Sequence, residues 1–334
     1  MAPTLQLGPA MTTWTASAPL IAGLLLAACT ESKSTSELVV RDAALGGGTP
    51  ALLGVDQNAV YWSVSAGSAP KQAAGSSLTT LPAEGQLLGA AVGPIVMAGD
   101  HLLLATEDSI VRADLGGRSK RLAQASAETL GEDSGATGTS TIAWTTGPAV
   151  TWGELEAPQR AVLPKVDRCD HLLITDGSLY IAADSVTGRR LIRIDRESHL
   201  VLPRTDSKSY GAAFPGGAKE GATYRGRIVG AEAAAAYWLV EELPAGTTTT
   251  SRAILVSAPD VGTPSVVLEH IGAVSGFFVA DDAFYWQEGD ALLTAPLAGG
   301  AAAIALELTG RAGAIADGFV YFTDGSSIQR LALD

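Results

Sequence analysis

One cationic, aromatic stretch stands out in an acidic chain. Between Arg204 and Arg227 the sequence reads RTDSKSYGAAFPGGAKEGATYRGR, five basic residues against two acidic ones, with Tyr210, Phe214 and Tyr224 between them. Cations and aromatic faces held together suit an anionic glycan, a lipid headgroup or an acidic protein partner. The candidate ligand-binding residues are therefore Lys208, Tyr210, Phe214, Tyr224, Arg225 and Arg227; the plainer reading is a solvated insertion. Acidic residues also recur, at Asp56, Asp100, Asp176, Glu232, Asp281 and Asp317. If they line one mouth of a repeat fold they could hold calcium, which takes hard oxygen ligands. Asp also bonds its own backbone in turns, which accounts for the same pattern without a metal.

Other chemistry is sparse. The sequence has no Gly-x-Ser-x-Gly elbow, no His-Glu-x-x-His and no phosphate-cradling Gly-x-x-x-x-Gly-Lys,. With no Cys-x-x-Cys, a structural zinc site of that type is excluded,. His101, His171, His199 and His270 do not fall at ligand spacing and read as turn or edge residues. No catalytic residue and no metal ligand is assigned, and no cofactor is required beyond the calcium that the acidic turns could take. A net charge of −13 argues against nucleic acid, whose phosphates need a basic face,.

The elements that would position these residues repeat. An apolar strand, an Asp/Gly turn and an aromatic strand recur around Tyr61, Leu103, Thr151, Tyr180, Tyr237, Tyr285 and Tyr321. GFFVADDAFYWQEGDALLTAPLAGG, ending at Gly300, is the clearest copy. A third strand follows most anchors, as in SIVRADL, RLIRIDR and RAILVSA, and a weaker fourth closes several units. The anchor spacing brackets the period of blade repeats, about 40 to 50 residues. Four short antiparallel strands repeated radially make an all-β β-propeller, whose edges are short and protected. Seven blades are expected; six is the alternative, because the unit around Thr151 has almost nothing after RAVLPKV. The chain ends at a third strand, and ELVVRDAAL near the start has no blade before it. The N-terminal strand is expected to close the last blade and cover its edge. Two departures from the repeat, 125–140 and 243–251, read as insertions without a site.

The N-terminus carries an apolar core, PLIAGLLLAA, too short to span a bilayer permanently, followed by Cys29,. Leu26-Ala27-Ala28-Cys29 resembles the bacterial lipobox. The resemblance implies a signal peptide over 1–28, acylation of Cys29, a tether over 29–36 and an outer-membrane address. Several acyl chains on one residue anchor stably. Cys169 then has no intrachain partner and is expected to be buried as a small hydrophobe. The Tyr-Trp pairs at 61–62, 237–238 and 285–286, with Tyr321-Phe322-Thr323-Asp324, resemble the YWTD-type propellers and related NHL-like sensors. That resemblance supports the architecture of 37–334 as one domain and says little about a ligand.

The functional expectation is a cell-envelope lipoprotein, monomeric, membrane-attached through its lipid, with a protein or glycan as partner. It would act as a non-enzymatic binding or scaffold module through one propeller mouth and the 204–227 loop. The alternative is a metal-dependent, lactonase-like hydrolase with its site in the central channel, and fold alone licenses neither.

Overall fold

The computed structural model describes residues 36–40, 51–55, 60–63, 71–74, 77–80, 95–98, 101–114, 119–133, 141–153, 158–175, 177–185, 188–232, 234–280, 282–325 and 327–333. The lipobox, Cys29 and Asp56, Asp100, Asp176 and Asp281 lie outside them. Among the described residues the strands pair into seven four-stranded antiparallel sheets. In chain order six of them span 51–80, 95–123, 129–162, 168–206, 223–271 and 276–307; the last takes 311–332. Within each sheet sequential strands are neighbours, as hairpin connections dictate,. The last sheet recruits Glu37–Val40, which pairs antiparallel with Ile328–Ala332. The expected N-terminal closure is therefore present, and Arg330 fastens it by reaching the Glu37 carboxylate at 2.7 Å.

The first strands touch one another in sequence, and the first strand of the first sheet also touches that of the last. They thus form a closed ring around the axis, with each sheet radiating outward from it. Each second strand is sandwiched between neighbouring sheets, so it needs apolar residues on both faces. His101–Ala105 (HLLLA) is accordingly buried at all five positions. The clusters straddle sheets: Leu179 and Ile192 with Ala143 and Trp152, Tyr180 with Trp238, Tyr237 with Phe284. Tyr321 and Ile328 pack with Val60 and Trp62, joining the last sheet to the first. Trp62, Tyr180, Trp238, Phe284, Trp286 and Phe322 are among the largest fully buried side chains. The aromatic repeat is thus a packing device between sheets.

Six of the seven anchors sit on second strands. Thr151 does not: it lies on the third strand of its sheet, Ala149–Gly153, and the second strand is Thr141–Thr146. The first strand is Thr129–Asp133, inside the stretch that reads as an insertion. This one-strand displacement explains why the unit looked truncated. Its fourth strand, Gln159–Val162, completes it.

A second regularity is visible only in the pairing. In the first, fifth and last sheets the first strand carries one extra residue opposite the aromatic pair. Leu52 faces Trp62 while Gly54 faces Tyr61; Ile228 faces Trp238 while Gly230 faces Tyr237; Ala312 faces Phe322 while Ala314 faces Tyr321. A bulge of this kind increases local twist and bends the strand, as an inner strand curving past the axis requires.

Candidate functional site at the channel mouth

The fourth sheet breaks that regularity. Its first strand, Arg168–Ile174, bulges between Cys169, which faces Ala183, and His171, which faces Ala182. The extra residue is Asp170, opposite a point two residues farther along the second strand than in the other three sheets. A bulge shifts the phase of side-chain alternation. Cys169 and Leu172, three positions apart, both pack into the cluster between the third and fourth sheets. Leu173 faces the opposite cluster, between the fourth and fifth. His171 is released to the surface.

Asp170 is held in place by two guanidiniums. Arg168 approaches it at 2.8 Å, and Arg189 contacts both Asp170 and Asp184, the latter at 2.9 Å. These four charges cancel locally. A pocket of about 370 Å³ opens beside them, lined by Val96, Glu128, Thr129–Gly131 and Asp170–Ile174. It is built from the first strands of three successive sheets and therefore faces the axis. Its floor is apolar (Val96, Leu130, Ile174), and Glu128 and His171 supply polar groups at its edge. Desolvation by the surrounding wall, and next the Arg227 guanidinium, push the His171 imidazole below the ordinary histidine range. A neutral imidazole can donate or accept a hydrogen bond. Burial, with Glu128 and Asp170 nearby, pushes the Cys169 thiol up to about 12. Such a thiol is inert and acts as core.

The candidate ligand-binding residues divide. Lys208 and Arg225 are exposed. Phe214 is buried, with Tyr210 and Tyr224 packed against the same cluster. The three aromatics are thus anchors of the insertion, and the expected aromatic binding face is not presented. The insertion proper is 207–222, because Arg204 lies on Val201–Asp206, and Tyr224, Arg225 and Arg227 lie on Thr223–Glu232. It begins with a short 3-10 helix, Ser207–Ala213, capped by the Asp206 carboxylate accepting from the Ser209 amide at 2.8 Å.

Beneath the insertion lies the buried carboxylate of Glu242. Arg252 binds it through Nε at 2.9 Å and Nη2 at 2.7 Å, and Lys219 reaches it at 3.2 Å. The same guanidinium stacks 5.0 Å over the Phe214 ring, donates to the Gly217 carbonyl at 3.1 Å and contacts the Pro215 carbonyl. The adjacent Glu241 points elsewhere, accepting from Thr250 at 3.2 Å and meeting Arg227 Nε at 3.5 Å. One strand, Ala235–Leu243, therefore fastens both the insertion and the guanidinium beside His171.

Of the acidic turns, Asp317 adopts the left-handed region (φ 51°) before Gly318, as turn chemistry requires,. Only the backbone of Glu232 is described. Among the described residues no three His, Cys, Asp or Glu side chains converge as a metal site would need. Sequence reasoning missed His171, because nothing in the local sequence signals the bulge before it.

Solved structures place this geometry among known folds. Oligogalacturonate lyase from Vibrio parahaemolyticus is similar at a TM-score of 0.57 and 8% identity, over 90% of this chain and 97% of that one. The AfRom2 CNH domain matches at 0.54 and 9%, over 90% and 99%. The extracellular domain of a hybrid two-component system from B. thetaiotaomicron matches at 0.57 and 9%, over 89% of this chain and 40% of that one. The chain is a β-propeller with four-stranded antiparallel blades. No family model matches it, and no curated protein does. At these identities the likeness shows the propeller alone, and its chemistry must be argued from its own residues.

Proposed function

We propose that this propeller is a non-enzymatic binding or scaffold module of the bacterial cell envelope, which takes its ligand at the channel mouth. We take each sheet as one blade, giving a ring of seven closed by the N-terminal strand. The observation that carries the reading is the displaced bulge at Asp170. Three other sheets place their bulge opposite an aromatic pair, where it serves curvature. The fourth moves it to the mouth, where it turns one imidazole out beside a concave, mostly apolar pocket. Apolar concavity with a few converging polar groups is the usual form of a small-ligand site. The 207–222 insertion contributes a fixed wall at the fifth blade, with its Lys208 and, on the strand that follows, Arg225 exposed to solvent.

The test is a thermal-shift screen of the protein against sugars, sugar acids, amino acids and short peptides, with Glu128→Trp as control. Glu128 is exposed, so the substitution fills the pocket without disturbing packing. A ligand at ten times its Kd stabilises by about 1.4 kcal/mol, a shift of about 2 to 4 °C for a chain of this size. That shift is expected in the wild type and absent in Glu128→Trp; equal shifts in both would reject the mouth.

The anchoring follows from Leu26-Ala27-Ala28-Cys29, with the outer membrane as the address and the monomer as the working form. Labelled palmitate is expected to enter the protein and to be lost in Cys29→Ser, which should leave the membrane fraction. Retention of label in that variant would overturn the anchor.

A further inference from the structure

We propose that the mouth takes a ligand carboxylate between the Arg227 guanidinium and the His171 imidazole; this rests on the mouth being the binding site. Arg189, which contacts Asp170, also reaches the Gly226 carbonyl at 3.5 Å, so the first strand of the fifth sheet brings Arg227 alongside the His171 end of the pocket, and the charge balance there favours an anion. Asp170 and Asp184 are answered by Arg168 and Arg189. Arg227 meets Glu241 at its Nε, at 3.5 Å, and its side chain is 29% exposed. Among the described residues its two terminal nitrogens make no hydrogen bond, so a fork geometry matched to a carboxylate remains open. Glu128, which lines the pocket on the preceding blade, supplies acceptors for hydroxyl groups. A carboxylate at one end, hydroxyls at the other and an apolar floor between them describe a small polyhydroxy acid. That chemistry could come as a free sugar acid or as the end of an acidic glycan.

Binding should take up a proton. The charged groups facing His171 are Asp170 and Arg189 of its own blade and Arg227 of the next, with Glu128 lining the same pocket. In the free protein desolvation and Arg227 favour the neutral ring. A carboxylate placed beside it favours the imidazolium, so affinity rises as pH falls through the bound-state value.

Calorimetric titration of the purified protein with glucuronate, glucose and a glucuronate-terminated oligosaccharide tests this. Glucuronate is expected to bind at least tenfold more tightly than glucose, and several-fold more tightly at pH 5.5 than at 7.5 with measurable proton uptake. Arg227→Gln should weaken glucuronate about tenfold or more, as loss of a charged hydrogen bond does, and leave glucose unchanged. His171→Gln should abolish the pH dependence. Preference for the oligosaccharide would assign the ligand to a glycan end, and equal affinity to the free acid; both support the carboxylate site. Glucose binding as tightly as glucuronate, or a glucuronate affinity independent of pH, would overturn the proposal while leaving the mouth as the binding site. These two readouts need no variant, so a folding defect in Arg227→Gln does not shield it. Glucuronate binding that survives Glu128→Trp would overturn the mouth itself.

Discussion

Glu242→Ala is expected to cost the fold about 3 to 5 kcal/mol, the usual penalty for stripping one partner from a buried ion pair. Glu242 is fully buried, and Arg252, Lys219 and Tyr224 converge on it. Without the carboxylate, Arg252 keeps its stack on Phe214 and its carbonyl contacts but carries an unanswered charge in the interior. The insertion should loosen with it, because Arg252 is what joins Pro215 and Gly217 to the fifth blade. Chemical denaturation reads the loss, and limited proteolysis should show new cleavage within 207–222. A loss below about 1 kcal/mol would mean that the insertion holds itself.

The same group sets an acid limit. The bidentate Arg252, and less strongly Lys219, hold Glu242 at about 2, against an ordinary value of 4.5. A carboxyl whose folded value is depressed contributes stability that is fully present above its unfolded value. That contribution is lost as pH falls through the folded value. The stability of the wild type should therefore decline from about pH 4.5 toward pH 2 more steeply than that of Glu242→Ala.

Gly226→Ala carries the second large effect, an expected loss of about 3 kcal/mol, at the upper end of overpacking costs. Gly226 lies on the first strand of the fifth blade, opposite Val240, and the Trp238 indole covers it. A Cβ there would overlap the Cζ2 edge of that indole's six-membered ring. Trp238 cannot retreat: it is fully buried among Tyr180, Ile254 and Val256. Its Nε1 has no hydrogen-bond partner among the described residues, so packing alone holds the ring. Trp238→Phe shortens the ring, and the double variant should recover part of the loss; strict additivity would place the strain elsewhere.

The blade pattern was legible where aromatic residues mark it. Tyr61, Tyr180, Tyr237, Tyr285 and Tyr321 fall on second strands, which are packed between neighbouring sheets. The third blade was misplaced by one strand because Thr129–Asp133 (TLGED) has the composition of a loop. It is a strand because its glycine is packed: a Cβ on Gly131 would stand 3.0 Å from Leu172 Cδ2. Such a requirement is set by the neighbouring blade and leaves no trace in local propensity. The insertion was legible as a departure, but composition cannot say which way an aromatic side chain faces, and Phe214 and its neighbours face inward. The mouth was least legible of all. A bulge is a property of pairing, so Arg168–Ile174 reads as an ordinary strand until its register with Ser178–Ser185 is seen.

Ligand capture at the mouth requires a neutral His171 with Arg227 beside it. Only four histidines are present, so a pH titration of their imidazole resonances by NMR, in the wild type and in Arg227→Gln, can follow His171 individually. The expected result is a His171 value below the ordinary histidine range that rises when the guanidinium is removed. A His171 that titrates at the ordinary value in both proteins would contradict the mouth geometry and the binding site built on it.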